Sequence, residues 1–174
     1  NASVPNPFDV DIGFVDIDAT GGSFPLVFPK DFENAPQMLS FSGVAGEEHQ
    51  FTVQTADDIV VEADETFLVT LNASTTLVDS SDTAIGTIQN NDQAVVTVTG
   101  VSAAEEVGTF NLSVALSAPV DAAVDVELST LDIGGATGGG VDYADVVNQL
   151  VSFPALSTTP ILVPVAINDE NIVE

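Results

Sequence analysis

Thr109-Phe110-Asn111-Leu112-Ser113-Val114-Ala115-Leu116 decides the fold class. Phe110, Leu112, Val114 and Leu116 fall on one face, and Asn111, Ser113 and Ala115 on the other. A period of two is that of a half-buried strand. Val124, Val126 and Leu128 alternate in the same way, as do Phe67, Val69 and Leu71. Clusters of Gly, Pro, Asn and Asp break the chain at short intervals. No segment keeps a helical period over three turns. The pattern predicts an all-β protein built as a β-sandwich.

Outward from that strand, the chain repeats itself. Asp9-Val10-Asp11-Ile12 matches Asp125-Val126-Glu127-Leu128, and Thr20-Gly21-Gly22 matches Thr137-Gly138-Gly139. Asp31-Phe32 matches Asp142-Tyr143, and the run FTVQTADDIVVE from Phe51 matches VPVAINDENIVE from Val163. The order of strand, glycine turn, Asp-aromatic pair and acidic turn is the same in both. The copies are incomplete at opposite ends. Copy two opens with strands near residues 94–100 and 109–116 that copy one lacks. Copy one runs on through ADETFLVTL and TAIGTIQNND, which copy two lacks. We therefore expect repeats at 1–92, without its first strands, and at 93–174, without its last, in a window cut from a longer protein.

Charge narrows the function. Acidic residues number 27 against one basic residue, Lys30, for a net charge of −26. Nucleic acid and anionic membrane surfaces repel such a chain. The compact state repels itself unless cations neutralise it. There are no cysteines, so disulfides, zinc-thiolate sites and cysteine nucleophiles are excluded. No apolar run approaches the about 18 residues of a membrane helix.

The stretch Ala56-Asp57-Asp58-Ile59-Val60-Val61-Glu62-Ala63-Asp64-Glu65-Thr66-Phe67-Leu68-Val69-Thr70-Leu71 resembles the signature of Calx-beta domains. It has the acidic turn, the hydrophobic-Glu pair, the acidic pair and a strand of the form T-F-x-V-x-L. Gly86-Thr87-Ile88-Gln89-Asn90-Asn91-Asp92 is similar to the closing strand and acidic end of that family. The resemblance implies tandem immunoglobulin-like Greek-key β-sandwiches that bind Ca2+ and carry no catalytic residues. It implies that metal-bearing loops face the next domain, so that calcium stiffens the junction. The linker Asn90-Asn91-Asp92-Gln93 is short and lacks the Gly and Ser of a flexible tether. In the closing triplet Asn90-Asn91-Asp92 two amides stand where the family favours acids, which lowers the ligand charge.

Calcium takes six to eight oxygen ligands, and loops at one tip of a sandwich can supply them. In copy one the candidates are Asp31, Asp57, Asp58, Glu62 and Glu65, with Asp92 at the exit. In copy two they are Glu105, Glu106, Asp142, Asp169, Glu170 and Glu174.

Other features carry less. The run Gly134-Gly135-Ala136-Thr137-Gly138-Gly139-Gly140 lacks the Lys-Ser/Thr of a phosphate loop. His49 stands beside Glu47 and Glu48 in a loop, with no Ser-His-Asp order. With no tryptophan and one tyrosine, a glycosidase has no sugar platform. The expectation is a non-enzymatic structural repeat of an extracellular or cell-surface adhesin, matrix protein or filament, partnered by neighbouring repeats. A second reading is a module that binds a glycan, a protein or another cell-surface ligand. Its candidate contacts are Phe24 and Phe28 in the insertion Phe24-Pro25-Leu26-Val27-Phe28-Pro29. A third is a head-to-tail fibre subunit joined by strand exchange, since open edges invite pairing. A fourth is a calcium sensor like the regulatory region of sodium-calcium exchangers.

Overall fold

The computed structural model describes residues 2–169. It is all-β apart from the 3-10 turn Glu105–Val107, and it divides into two compact units. The first comprises Asn1–Asp58 and Ala63–Asn90, and the second Ile59–Glu62 and Asn91–Glu174. Among the described residues no helix is long and apolar enough to cross a membrane.

In the first unit, β1 (Phe8–Asp16), β4 (Gln37–Phe41), β5 (Glu65–Ala73) and β6 (Thr83–Ile88) form an antiparallel sheet in the order β4-β1-β5-β6. The short β2 (Gly21–Gly22) and β3 (Phe32–Glu33) pair in parallel beside it. Alternation along β1 buries Val10 and Ile12, and β5 buries Phe67 and Val69 between less buried neighbours. These side chains, with Ala19 and Phe32, make the core. Phe67 stacks on Phe32 with ring centroids 4.2 Å apart, and Phe14 packs its edge against both. Gly86 stands opposite Phe67 in the ladder. A Cβ there would fall 2.2 Å from the Phe67 ring, so only glycine lets that ring lie across β6.

In the second unit, β7 (Val96–Thr99), β8 (Thr109–Leu116) and β11 (Ile161–Ala166) form one antiparallel sheet in the order β11-β8-β7. A second sheet pairs β9 (Val124–Leu128) with β10 (Gln149–Phe153). The inner faces meet as a sandwich around Val114, Leu116, Val151, Phe153 and Val163. The period of two in β8 is what drives it. Val114 and Leu116 are buried, whereas Asn111 on the other face is exposed. Ile59–Glu62 belongs to this unit by a parallel bridge from Val61 to Val120. The Val61 N–H donates to the Pro119 carbonyl at 2.9 Å, and the Asp121 N–H donates to the Val61 carbonyl at 3.1 Å.

One matched pair of segments behaves differently. The run VPVA in β11 is a strand, but its counterpart Phe51-Thr52-Val53-Gln54 is not. β11 owes its ladder to β8, with Val163 opposite Leu112 and Val165 opposite Phe110. Among the described residues the first unit has no counterpart of β8, so residues 51–54 lie without a ladder. Val53 still packs on the core.

Candidate metal centre

Antiparallel register gathers three chain ends at one end of the first unit. Asp16 closes β1 opposite Phe67, and Glu65 opens β5 opposite Ile88, which closes β6. The loop after β1 is tied to the start of β5. The Thr66 N–H and hydroxyl donate to Asp18 Oδ1 at 2.5 and 2.6 Å, and the Ala19 N–H donates to the Thr66 carbonyl at 3.0 Å. The Thr66 bonds hold the Asp18 carboxyl below the usual carboxylate range.

The next residue, Thr20, clasps Asp31. The Thr20 N–H donates to Asp31 Oδ2 at 2.6 Å, and the Asp31 N–H returns a bond to the Thr20 carbonyl at 2.9 Å. The Ala56 N–H donates to the Asp31 carbonyl at 2.8 Å, which brings Asp57, the following residue, to the same end. Of the candidates in copy one, Asp31, Asp57, Asp58 and Glu65 therefore belong to the first unit. Glu62 and Asp92 are half-buried in the second.

The second unit builds the same frame from its own residues. The Thr137 N–H donates to Asp142 Oδ2 at 2.5 Å, and the Asp142 N–H donates to the Thr137 carbonyl at 2.9 Å. The Asn168 N–H donates to the Asp142 carbonyl at 2.9 Å, as Ala56 does to Asp31, and brings up Asp169. The isolated bridge Tyr143–Ile167 repeats the bridge Phe32–Thr55. The exposed Glu105 and Glu106 lie in the 3-10 turn, closed by Gly108 at φ 70°. The Ile167 N–H donates to the Gly108 carbonyl at 2.9 Å, which sets that turn beside the loop of Asn168. Glu105 and Asp142 line one cleft of about 530 Å³ together with Tyr143. Glu170 and Glu174 lie outside the described residues.

Sequence reasoning missed two carboxylates in these frames. Asp16 Oδ1 accepts the Gly21 N–H at 3.0 Å, and Asp132 Oδ1 accepts the Gly138 N–H at 2.7 Å. Each buries the first glycine of its Thr-Gly-Gly turn. The signal was present, because Val15-Asp16-Ile17 and Leu131-Asp132-Ile133 extend the repeat match. Asp132 also accepts the Tyr143 hydroxyl at 2.7 Å. That bond, with the Gly138 N–H, lowers the Asp132 carboxyl, and it raises the Tyr143 phenol above its ordinary 10.0.

The donors at both ends are carboxylate and carbonyl oxygens, the chemistry that suits calcium rather than a soft metal. Among the described residues no three His, Asp or Glu side chains stand together as a ready metal-holding group. His49 is engaged elsewhere, its Nε2 lying 2.9 Å from Glu47 Oε1. Phe24 is 65% exposed and Phe28 36%, so the insertion presents both rings outward.

The frames and their order agree with a family comparison. The model of the Calx-beta domain matches residues 8–99 and again residues 88–174. The chain belongs to the Calx-beta family, as two successive copies of an immunoglobulin-like β-sandwich domain. A solved chain described as the crystal structure of calcium binding domain CBD12 of CALX1.1 is similar at 22% identity with a TM-score of 0.43. The match covers 94% of this chain and 64% of that one. No curated protein matches.

Proposed function

We propose that this chain is a pair of non-catalytic, calcium-binding structural repeats, 1–92 and 93–174, from an extracellular adhesin, matrix protein or filament. The observation that carries the reading is the duplicated clasp, Thr20 with Asp31 and Thr137 with Asp142. A backbone frame built twice holds loop carboxylates at one end of each unit. In the first unit Asp31, Asp57, Asp58 and Glu65 would hold the ion, and in the second Glu105, Glu106, Asp142, Asp169, Glu170 and Glu174. Glu62 and Asp92, on the segments where the chain passes between repeats, would link ion binding to the stiffness of the junction. A bound divalent cation supplies the positive charge that offsets the self-repulsion of a chain at −26. Backbone carbonyls and water complete the six to eight oxygens that calcium takes.

Calorimetric titration with calcium, paired with thermal melting, tests this. A cation at a hundred times its Kd stabilises the folded state by about 2.7 kcal/mol. Magnesium gives less, since it sheds water reluctantly and demands octahedral geometry. Identical melting in chelator and in millimolar calcium sinks the reading.

The outward rings of Phe24 and Phe28 favour a second reading, in which the insertion contacts a glycan or a protein at the cell surface. Retention on a glycan array that is unchanged by Phe24→Ala and Phe28→Ala removes it.

A further inference from the structure

The loop between Gly22 and Asp31 in the first unit is longer than the fold requires. It holds residues 23–30, where the second unit places only Gly140 and Val141 between Gly139 and Asp142. The second unit contains β7 and β8, and Gly140 and Val141 are exposed there. The first unit contains β5 and β6, and its loop is exposed too. Strands of neither kind cover this position. The extra residues, Phe24-Pro25-Leu26-Val27-Phe28-Pro29, are all apolar, and Phe24 and Val27 are 65% and 69% exposed. A turn closes the loop at its foot, where the Lys30 N–H donates to the Val27 carbonyl at 3.1 Å. Lys30 is the single basic residue against 27 acidic ones. Among the described residues it nevertheless makes no ion pair. Its stem lies across Gly22, where a Cβ would fall 2.9 Å from Lys30 Cγ. A lysine held by its stem keeps its ammonium for a partner outside.

We propose that this loop is a lipid-docking tip. Phe24, Val27 and Phe28 enter the interfacial layer of a zwitterionic bilayer, and Lys30 takes a headgroup phosphate. An exposed apolar patch of this kind marks a membrane or a protein contact. Charge selects among surfaces, because a chain at −26 is repelled by anionic ones and not by neutral ones. Hydrogen bonding selects against a sugar. From Phe24 to Pro29 no side chain donates or accepts, whereas a glycan site needs placed polar groups. Acyl chains ask for none. Pro25 and Pro29 carry no N–H, so fewer main-chain donors lose water when the tip enters lipid. The contact rests on the bilayer surface and stands without the calcium reading.

The chain has no tryptophan, so Phe24→Trp in the whole chain places a single reporter at the tip. The probe is phosphatidylcholine vesicles at one fixed calcium concentration, which makes any bridging of carboxylates to phosphate common to every variant. The expected result is saturable co-sedimentation of the wild type. The Phe24→Trp emission should shift to the blue and be quenched by lipid brominated on its acyl chains. The double variant Phe24→Ser, Val27→Ser should bind at least about tenfold more weakly, from losing two inserted apolar side chains, with its melting temperature unchanged. Lys30→Glu should weaken binding about threefold, the worth of an exposed ion pair. No sedimentation up to millimolar lipid overturns the proposal. So does sedimentation that the double variant keeps in full, that Lys30→Glu leaves untouched, or that leaves the Phe24→Trp emission unshifted. Retention on a glycan array that the double variant loses, without vesicle binding, also overturns it and gives the tip to a sugar.

Discussion

Thr20 and Asp31 bond each other twice, the Thr20 N–H to Asp31 Oδ2 at 2.6 Å and the Asp31 N–H to the Thr20 carbonyl at 2.9 Å. The first is charge-assisted and partly buried, so its loss strands a main-chain donor. Asp31→Ala is expected to destabilise the first unit by about 1–3 kcal/mol. Asp31→Asn keeps an acceptor and costs less. The matching Asp142→Ala, at an exposed bond, is expected to cost about 0.5–1.5 kcal/mol. Native-state amide exchange at Thr20 and Thr137 reads the two units separately. Equal protection in wild type and variant at each amide would refute the clasp.

The aromatic stack is the second lever. Phe67 is buried between Phe32 and Phe14 and presses on the backbone of Gly86. Phe67→Ala should destabilise the first unit by about 3–5 kcal/mol, as truncations of buried aromatics do. Gly86→Ala puts a methyl group into the ring and should cost about 1–3 kcal/mol. In the double variant Phe67→Ala, Gly86→Ala the second penalty should vanish, because the ring that causes it is gone. Denaturant unfolding followed by aromatic circular dichroism measures all three. A Gly86→Ala penalty that persists without the ring would mean that backbone strain, not contact, is responsible.

What the sequence made legible follows from what is local. Period-two runs placed β5, β8 and β9 because a strand shows its buried face in alternate residues. The repeat exposed the Thr-Gly-Gly and Asp-aromatic pairs, which fold into the two clasps. Residues 51–54 carry a strand-like sequence, yet their conformation depends on a partner strand that no local pattern contains. Asp16 and Asp132 escaped notice for a related reason. A carboxylate that accepts a glycine N–H five or six residues on has no compositional mark. Nor does sequence say where carboxylates point. Asp31 and Asp142 each turn one oxygen back to the main chain, a use that spacing does not reveal.

Glu47 should contribute to the acid sensitivity of the first unit. His49 and Ser42 hold its carboxyl at about 2, against an ordinary 4.5. A depressed folded pKa contributes stability that is present above 4.5 and lost as pH falls toward about 2. Glu47→Gln should therefore flatten the pH dependence of the first unit within that window and lower its melting temperature above it, where the wild-type contribution is whole. Melting temperature against pH checks this. An unaltered acid limb would mean that other carboxylates set it.

The phenol of Tyr143 offers a titration in isolation, because the chain has one tyrosine. Its hydroxyl donates to Asp132 Oδ1 at 2.7 Å, and that bond raises it above its ordinary 10.0. A raised folded pKa contributes stability that is whole below 10.0 and is lost as pH rises through the folded value. Asp132→Asn removes the charged acceptor and should bring the phenolate absorbance midpoint down toward 10.0. The same variant weakens the bond from the Gly138 N–H, so amide exchange at Gly138 should quicken together with the shift. A midpoint that stays high in Asp132→Asn would assign the shift to burial of the ring in the cleft instead of to the bond.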